Sequence, residues 1–271
     1  MTFNVSEGDF YGLIGPPGSG KTTIARLLLA LISPTSGSAN IFGKDCIKFA
    51  PLIAKDIGYL PKENYFYQNL TVKQMLEYAE SLYKKSCFKR ASELCETFSL
   101  DKSMQLNDLS EVSIKKLNIV CALLNSPKLL IVDEPFYNLD IHSKKIFTDC
   151  LIQENLKGTT ILFITENYLE AEKLCNKIAF LHEGRLIRVL GGEEFKFKKV
   201  KKIRFMTNDK VDEDLFYNIE KISHYEYDKG EARFMFRGNT NHVLKRLMRL
   251  NIHDIFIEEQ SLEEMYKNYF L

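Results

Sequence analysis

The hydrophobic residues of this chain fall into short apolar runs that alternate with segments of helical periodicity. Four runs predict strands, at 10–14, 57–60, 129–132 and 160–164. The last two are continuously apolar, as is usual for parallel strands covered on both faces, and the segment 143–156 between them predicts a crossover helix. Further strands are predicted at 38–43, 177–182 and 185–189, the last two joined by a turn.

Apolar residues at helical spacing predict four more helices, at 23–32, 71–82, 86–98 and 110–125. Thr71 and Gln74 form a capping box at the start of the second of these helices. Its predicted apolar face comprises Val72, Met75, Leu76, Ala79 and Leu82. The helices between 68 and 126 follow one another without an intervening strand, so we expect them to form a helical subdomain.

The pattern changes after Gly191 and Gly192. From there the chain predicts the order strand, helix, strand, strand, helix, strand, at 202–207, 211–219, 224–227, 232–237, 241–250 and 254–258. This βαββαβ order is that of a ferredoxin-like α+β domain. A capping box that begins at Ser261 predicts a final helix. We therefore expect two domains, 1–191 and 192–271.

Residues 15–22 match G-x-x-x-x-G-K-[ST], the phosphate-binding P-loop, and lie between a predicted strand and a predicted helix, as the motif requires. Its glycines let backbone N–H groups turn toward phosphate oxygens, and the helix adds its positive end. We expect Lys21 to reach the β- and γ-phosphates of ATP and the Thr22 hydroxyl to bind Mg²⁺. The flanking elements argue against a glycine-rich turn with a chance lysine. The predicted nucleotide contacts are Gly15, Pro16, Pro17, Gly18, Ser19, Gly20, Lys21, Thr22 and Thr23.

Two carboxylates follow the predicted strand 129–132. In P-loop NTPases an aspartate at this place holds Mg²⁺, which predicts that role for Asp133. A second carboxylate beside it can take a proton from an attacking water, which predicts Glu134 as the general base. Alone, this segment favours a simple acidic turn; together with the P-loop, it favours a catalytic site.

These motifs resemble those of the ABC ATPases, and the resemblance covers most of the chain. Residues 133–135 and 138–140 are similar to the Walker B motif and the D-loop, and 57–61 is similar to the approach to the Q-loop. Leu109 and Ser110 lie where the signature motif LSGGQ begins, and Thr165 precedes the switch position. The resemblance implies an α/β P-loop NTPase of the ABC ATPase type with a helical subdomain, and a C-terminal domain like those of ABC ATPases that serve separate permeases.

The resemblance further implies an ATP-binding subunit that binds and hydrolyses Mg-ATP to drive a separate membrane permease. Two nucleotide-binding domains of this family sandwich two ATP molecules, each between one P-loop and the other subunit's signature motif. This arrangement implies nucleotide contacts for Ser110 and Asp140. Two alternatives stay open: a degenerate regulatory subunit that binds ATP without efficient hydrolysis, and a soluble ABC ATPase that acts on ribosomes or nucleic acid.

The chain departs from the family pattern at four places. Its signature has Glu111 and Val112 in place of both glycines, Lys62 occupies the Q-loop glutamine position, and Glu166 occupies the switch histidine position. No residue before Gly15 matches the aromatic A-loop residue that stacks on adenine in this family, which implies a start further upstream or loosely held adenine. Because a homodimer would place the altered signature at both sites, we expect a heterodimer with a second ATP-binding subunit.

The changes at Lys62 and Glu166 face the same expected γ-phosphate position, so both residues are candidates for a catalytic role. Independent loss at the two positions is one interpretation. The other is a compensating pair, in which Glu166 holds the Lys62 ammonium group and Lys62 supplies positive charge to the phosphate.

Composition adds little to this picture. The 271 residues carry a net charge of +1, which favours no polyanionic partner, and we expect no nucleic acid. Six scattered cysteines predict reduced thiols, and no apolar run is long enough to span a bilayer, so we expect a cytoplasmic protein held at the inner face of the membrane through the permease. A basic run at 196–204 predicts a half-buried strand face, with an anionic membrane surface or nucleic acid as alternative contacts.

Overall fold

The computed structural model of the chain describes residues 1–63, 69–83, 86–191, 200–209, 211, 222–267 and 269. The chain divides into two units, Met1–Val189 and Leu190–Leu271. The sequence-based division between 191 and 192 lies two residues further along the chain.

A six-stranded sheet forms the centre of the first unit. Its strands are β1 (Phe10–Ile14), β4 (Ile57–Leu60), β5 (Leu129–Asp133), β6 (Thr160–Thr165), β7 (Lys177–His182) and β8 (Arg185–Gly191), in the order β4-β5-β6-β1-β7-β8. The neighbours from β4 to β7 pair in parallel. Every residue of β1, β5 and β6 is buried, which confirms that their continuous apolar runs belong to parallel strands covered on both faces. The carboxyl ends of these three strands meet at one edge, where a ligand can bind.

The described α-helices of this unit are α1 (Lys21–Leu28), α2 (Ala50–Ile53), α3 (Val72–Tyr83), α4 (Phe88–Thr97), α5 (Glu111–Leu123), α6 (Ile141–Leu156) and α7 (Tyr168–Leu174). The predicted strand at 38–43 is the short hairpin β2 (Asn40–Ile41) and β3 (Lys44–Asp45). Its turn residues, Phe42 and Gly43, both have positive φ, as a two-residue type I′ turn requires. None of the described helices is both long and apolar enough to cross a membrane.

The capping box predicted for α3 is present. The Gln74 N–H donates to Thr71 Oγ1 at 3.2 Å, and the Thr71 N–H donates to Gln74 Oε1 at 2.9 Å. Val72, Leu76 and Ala79 are buried. Leu82, predicted on the same face, is 59% exposed.

Helix α1 is shorter than predicted, because it ends at Leu28 rather than at Ile32. Ala30 takes the left-handed conformation with φ of 56°. The Leu31 N–H then donates to the Arg26 carbonyl and the Ala30 N–H to the Leu27 carbonyl, which is the hydrogen-bond pattern of a Schellman motif. This position is usually glycine, so the alanine gave no signal of the helix end, and Leu31 is 62% exposed.

The second unit contains a four-stranded antiparallel sheet. Its strands are β9 (Lys201–Thr207), β10 (Ile222–Asp228), β11 (Glu231–Phe236) and β12 (Ile252–Glu259), in the order β10-β11-β9-β12, and its described helices are α8 (Thr240–Leu247) and α9 (Leu262–Lys267). This strand order is that of the ferredoxin-like arrangement; the helix predicted at 211–219 lies almost wholly outside the described residues. Phe205, Phe234 and Val243 belong to its hydrophobic core.

The basic run lies only partly within the described residues, because Lys196, Lys198 and Lys199 fall outside them. Lys202 forms an ion pair with Glu264 at 2.5 Å, and the Arg204 guanidinium lies 4.5 Å from the centroid of the Phe256 ring. Both cations therefore already have interaction partners within the second unit.

Candidate active site

The P-loop connects β1 to α1 and is shaped by three glycines. Gly18 and Gly20 have φ of 76° and 97°, which glycine adopts without strain. A Cβ atom on Gly15 would lie 2.1 Å from the carbonyl oxygen of Leu181 in β7, so the neighbouring strand excludes any side chain there. No described side chain caps α1 at Gly20, and the first N–H groups of the helix are available to an anion.

Lys21 is folded back over its own loop. Its side chain is only 6% exposed, and Nζ donates to the carbonyl oxygens of Gly15 at 2.8 Å and Pro16 at 2.9 Å. A longer contact of 3.4 Å joins Nζ to Ser19 Oγ. Burial lowers the pKa of Lys21, while the charges of nearby carboxylates oppose that change. The loop therefore holds a buried ammonium group at its centre.

Asp133 ends β5 with its carboxylate buried. The residue is 1% exposed, and neither Oδ1 nor Oδ2 has a hydrogen-bond partner among the described residues. Burial raises the pKa of Asp133; the nearby Thr22 hydroxyl opposes this change, although its geometry falls short of a hydrogen bond. Two buried carboxylate oxygens without partners are costly unless a cation binds them, so this residue and Thr22 fit a divalent metal ion.

Glu134 follows in an unusual backbone conformation, with φ of 44°. Strained conformations of this kind occur often at active sites. Its Oε2 accepts a hydrogen bond from Thr165 Oγ1 at 3.3 Å, whereas its buried Oε1 has no hydrogen-bond partner in the described part of the chain. Burial, followed by the charge of Glu166, raises the pKa of Glu134 to about 7. A carboxylate with a pKa near neutrality is suited to accept a proton from water.

A chain of polar groups behind Glu134 was not predicted from the sequence. Thr165 Oγ1 lies 3.4 Å from Glu170 Oε2, and Glu170 forms an ion pair with Lys144. The ammonium group of Lys144 lies 4.9 Å from the centroid of the Phe136 ring. Because the single hydroxyl proton of Thr165 can be donated to only one carboxylate at a time, this threonine connects Glu134 to the Glu170–Lys144 pair.

Glu166 and Lys62 approach the same group of charges from different sides. Glu166 Oε1 lies 3.7 Å from Lys21 Nζ, whereas Lys62 Nζ lies 5.8 Å from the centroid of the Tyr137 ring. The charge of Lys62 still lowers the pKa of Glu134. Among the described residues, the carboxylate of Glu166 is therefore paired with Lys21 rather than with Lys62, and the compensating pair of Lys62 and Glu166 stays a prediction.

Lys115 is completely buried in α5 and was not predicted from the sequence as part of the site. Its Nζ donates to the Pro61 carbonyl at 3.0 Å, directly before Lys62. Burial lowers the pKa of Lys115 to about 8, against the opposing charges of Asp133 and Glu134. The apolar residues that follow Lys115 along α5 could have indicated its burial, because residues on nearly every side of that helix are buried.

Ser110 and Asp140 serve as helix caps in this structure. Ser110 Oγ accepts from the Ser113 N–H at 3.2 Å at the start of α5, and Asp140 Oδ1 accepts from the Ser143 N–H at 2.9 Å at the start of α6. Hydrogen bonds from Ser143 lower the pKa of Asp140 to about 2. Neither side chain contacts Lys21 in the described part of the chain, so their nucleotide contacts stay predictions.

Glu111, in the altered signature, is exposed and accepts a hydrogen bond from Asn138 Nδ2 at 3.2 Å. The hydrogen bond joins the start of α5 to the loop before α6. It keeps the negative charge of Glu111 at the surface.

The geometry thus brings together Lys21, Thr22, Asp133, Glu134 and Glu166 at the carboxyl ends of β1, β5 and β6. The described residues include no group of three or more His, Cys, Asp or Glu side chains that could hold a metal ion by itself. A cation at Asp133 would therefore need ligands from a bound phosphate as well, which is how Mg²⁺ usually binds in phosphoryl-transfer sites.

Comparisons with known proteins agree with this geometry. A family model described as ABC transporter matches residues 1–137. The chain is 30% identical over 202 residues to the ABC transporter ATP-binding protein YtrB of Bacillus subtilis, covering 74% of this chain and 69% of the relative. It is 32% identical over 213 residues to the bacitracin transport ATP-binding protein BcrA of Bacillus licheniformis, covering 77% of this chain and 69% of the relative.

The fold is similar to solved structures as well. The structure of an ATP-binding subunit of an ABC transporter superposes with a TM-score of 0.67 at 29% identity, covering 70% of this chain and 82% of that chain. Together with the P-loop and the strand that ends in Asp133 and Glu134, these similarities show that the chain belongs to the ABC transporter family of ATP-binding proteins.

Proposed function

We propose that this chain is the ATP-binding subunit of an ABC transporter, which binds Mg-ATP and hydrolyses it to drive a separate membrane permease. The observation that carries the proposal is the group of Lys21, Asp133 and Glu134 at one edge of the sheet. Lys21 and Asp133 are buried, and both carboxylate oxygens of Asp133 lack a hydrogen-bond partner among the described residues. The named roles of the relatives support transport, since BcrA is a bacitracin transport protein.

In this proposal, Lys21 turns its ammonium group from the loop carbonyls to the phosphate oxygens, and the N–H groups of the P-loop bind the remaining oxygens. Thr22 and Asp133 hold Mg²⁺, which supplies positive charge to the triphosphate when bound. Glu134 orients the attacking water and takes its proton at Oε1, the oxygen that has no hydrogen-bond partner among the described residues. Thr165 fixes the other oxygen of this carboxylate.

We propose a heterodimer as the working state. Each ATP would lie between the P-loop of one subunit and the signature segment of the other, where Ser110 and Asp140 would contribute. Glu111 would bring negative charge close to the phosphates of the partner's ATP, which disfavours a homodimer. A second subunit with a glycine-rich signature would complete the site built on Lys21 and Glu134.

The second candidate function is a regulatory subunit that binds ATP without efficient hydrolysis. The observation that favours it is the ion pair between Glu166 and Lys21. A carboxylate at this position competes with a phosphate for the Lys21 ammonium group, and unless it is protonated it cannot donate a hydrogen bond to that phosphate. Single-turnover hydrolysis, measured in the complex with the native permease and partner subunit, separates the two candidates.

The experiment compares the wild type with Glu134→Gln in that complex. Hydrolysis at the Lys21 site predicts that the substitution slows the single turnover by about a hundredfold or more while ATP stays bound. Equal rates in both proteins would mean that this site does not hydrolyse ATP. Glu93→Gln, on the exposed surface of α4, is the matched control and should leave the rate unchanged.

A further inference from the structure

The pairing of Glu166 with Lys21 has a consequence for the choice of nucleotide. Glu166 Oε1 lies 3.7 Å from the ammonium group that the P-loop offers to phosphate. Lys21 is 6% exposed, whereas Glu166 is 35% exposed, so the carboxylate reaches the buried ammonium group from the solvent side. A carboxylate and a phosphate both present anionic oxygens to the same cation, so they compete for it.

The position of Glu166 relative to Glu134 identifies the phosphate with which it competes. Glu166 directly follows Thr165, whose Oγ1 donates a hydrogen bond to Glu134 Oε2 at 3.3 Å, so both glutamates lie at the end of β6. If Glu134 activates the attacking water, the γ-phosphate must lie between Glu134 and Lys21. Glu166 acts on both of these groups, and its charge is therefore directed at the γ-phosphate rather than at the α-phosphate.

The charge balance of the site points the same way. Three cations, Lys21, Lys62 and Lys115, act on the carboxylates Asp133, Glu134 and Glu166. With Glu166 present, the three positive charges are balanced, so the site has no spare positive charge for a further phosphate. A nucleoside triphosphate must either approach the charge of Glu166 or displace Glu166 from Lys21, whereas a diphosphate brings no γ-phosphate to it.

We propose that Glu166 is a specificity-determining residue that lowers the preference of this site for a nucleoside triphosphate over the corresponding diphosphate. The proposal rests on the proposed binding of ATP at the P-loop. Its effect is to make release of the triphosphate easier and occupation by the diphosphate more frequent at equal concentrations.

The test measures binding rather than turnover. Dissociation constants for ADP and for the non-hydrolysable triphosphate AMP-PNP, both with Mg²⁺, are determined for the wild type, Glu166→Gln and Glu166→Asp by isothermal titration calorimetry. Glu166→Gln removes the charge at nearly constant size, whereas Glu166→Asp keeps it. Glu93→Gln is again the control, because that glutamate lies on the surface of α4 and its ion-pair partner among the described residues is exposed Lys89 at 4.0 Å.

We expect Glu166→Gln to bind AMP-PNP roughly three- to tenfold more tightly than the wild type, since the ion pair is partly exposed. Affinity for ADP should change by less than about twofold, and a higher salt concentration should reduce the gain for AMP-PNP. Glu166→Asp and Glu93→Gln should keep the ratio of the two affinities close to that of the wild type.

Two outcomes would overturn the inference while the proposed function stands: an unchanged affinity for AMP-PNP in Glu166→Gln, or an equal gain for both nucleotides. A wild type that binds neither nucleotide would instead overturn the proposed function itself, and the inference with it.

Discussion

Replacement of Lys115 by methionine should stabilise the protein at neutral pH. Lys115 is completely buried, and its ammonium group donates a hydrogen bond to the Pro61 carbonyl. Methionine fills a similar volume without a charge. A buried charge is costly even when carboxylates lie nearby, and its replacement by a hydrophobic residue often raises stability.

The magnitude follows from the pKa. Burial lowers the pKa of Lys115 from 10.5 to about 8. Because the pKa in the folded state is the lower one, the charged lysine destabilises the fold fully below pH 8, and this cost disappears as the pH rises from about 8 to about 10.5. The shift corresponds to about 3 kcal/mol. The variant leaves the Pro61 carbonyl without this hydrogen bond, which costs about 1 to 3 kcal/mol. We therefore expect the free energy of unfolding to rise by a net amount of about 1 kcal/mol at pH 7.

The assay is urea unfolding, followed by circular dichroism, of the wild type and Lys115→Met between about pH 7 and pH 9.5. The variant should be the more stable protein at pH 7 and the less stable one at pH 9.5, because the wild type gains about 1.4 kcal/mol per pH unit above pH 8. Lys116→Met is the control at the neighbouring, partly exposed position.

A difference in the free energy of unfolding that stays constant across this pH range would refute the reasoning. So would a crossover of the same size in Lys116→Met, since the effect would then not depend on burial of the Lys115 ammonium group.

Three further predictions concern the loop, a helix cap and the dimer. Gly15→Ala should abolish nucleotide binding and lower the melting temperature, because its Cβ atom would lie 2.1 Å from the Leu181 carbonyl oxygen; thermal unfolding with and without Mg-ATP checks this. Asp140→Ala should lower the free energy of unfolding through loss of the cap to Ser143, whereas Asp140→Asn should lower it less, as urea unfolding will show. The purified chain alone should not dimerise with ATP, and Glu111→Gly should increase dimerisation, which analytical ultracentrifugation measures; ready dimerisation of the wild type would contradict the expected heterodimer.

The parts of the site that the sequence predicted are those in which local chemistry dictates structure. The glycine spacing of the P-loop and the apolar run that ends in Asp133 and Glu134 indicated a loop and a strand end without knowledge of the rest of the fold. Two capping boxes were also correct, at Thr71 and at Ser261, because their hydrogen bonds join residues three positions apart.

The parts that the sequence did not predict depend on contacts between distant residues or on uncommon backbone conformations. Lys115 carries a charge that usually lies at the surface, yet the packed α5 buries it and brings its ammonium group to the Pro61 carbonyl after β4. The pairing of Glu166 with Lys21 depends on β1 and β6 lying side by side. The early end of α1 depends on Ala30 in a conformation that glycine usually adopts.

Binding of Mg-ATP to the wild type and to Lys21→Ala tests the central claim most directly. Lys21 holds its ammonium group against the P-loop carbonyls and has no other structural partner than Ser19 and Glu166 among the described residues. Calorimetric titration should therefore show binding by the wild type and a loss of affinity of about a hundredfold in the folded variant. Equal affinities in the two proteins would contradict the account.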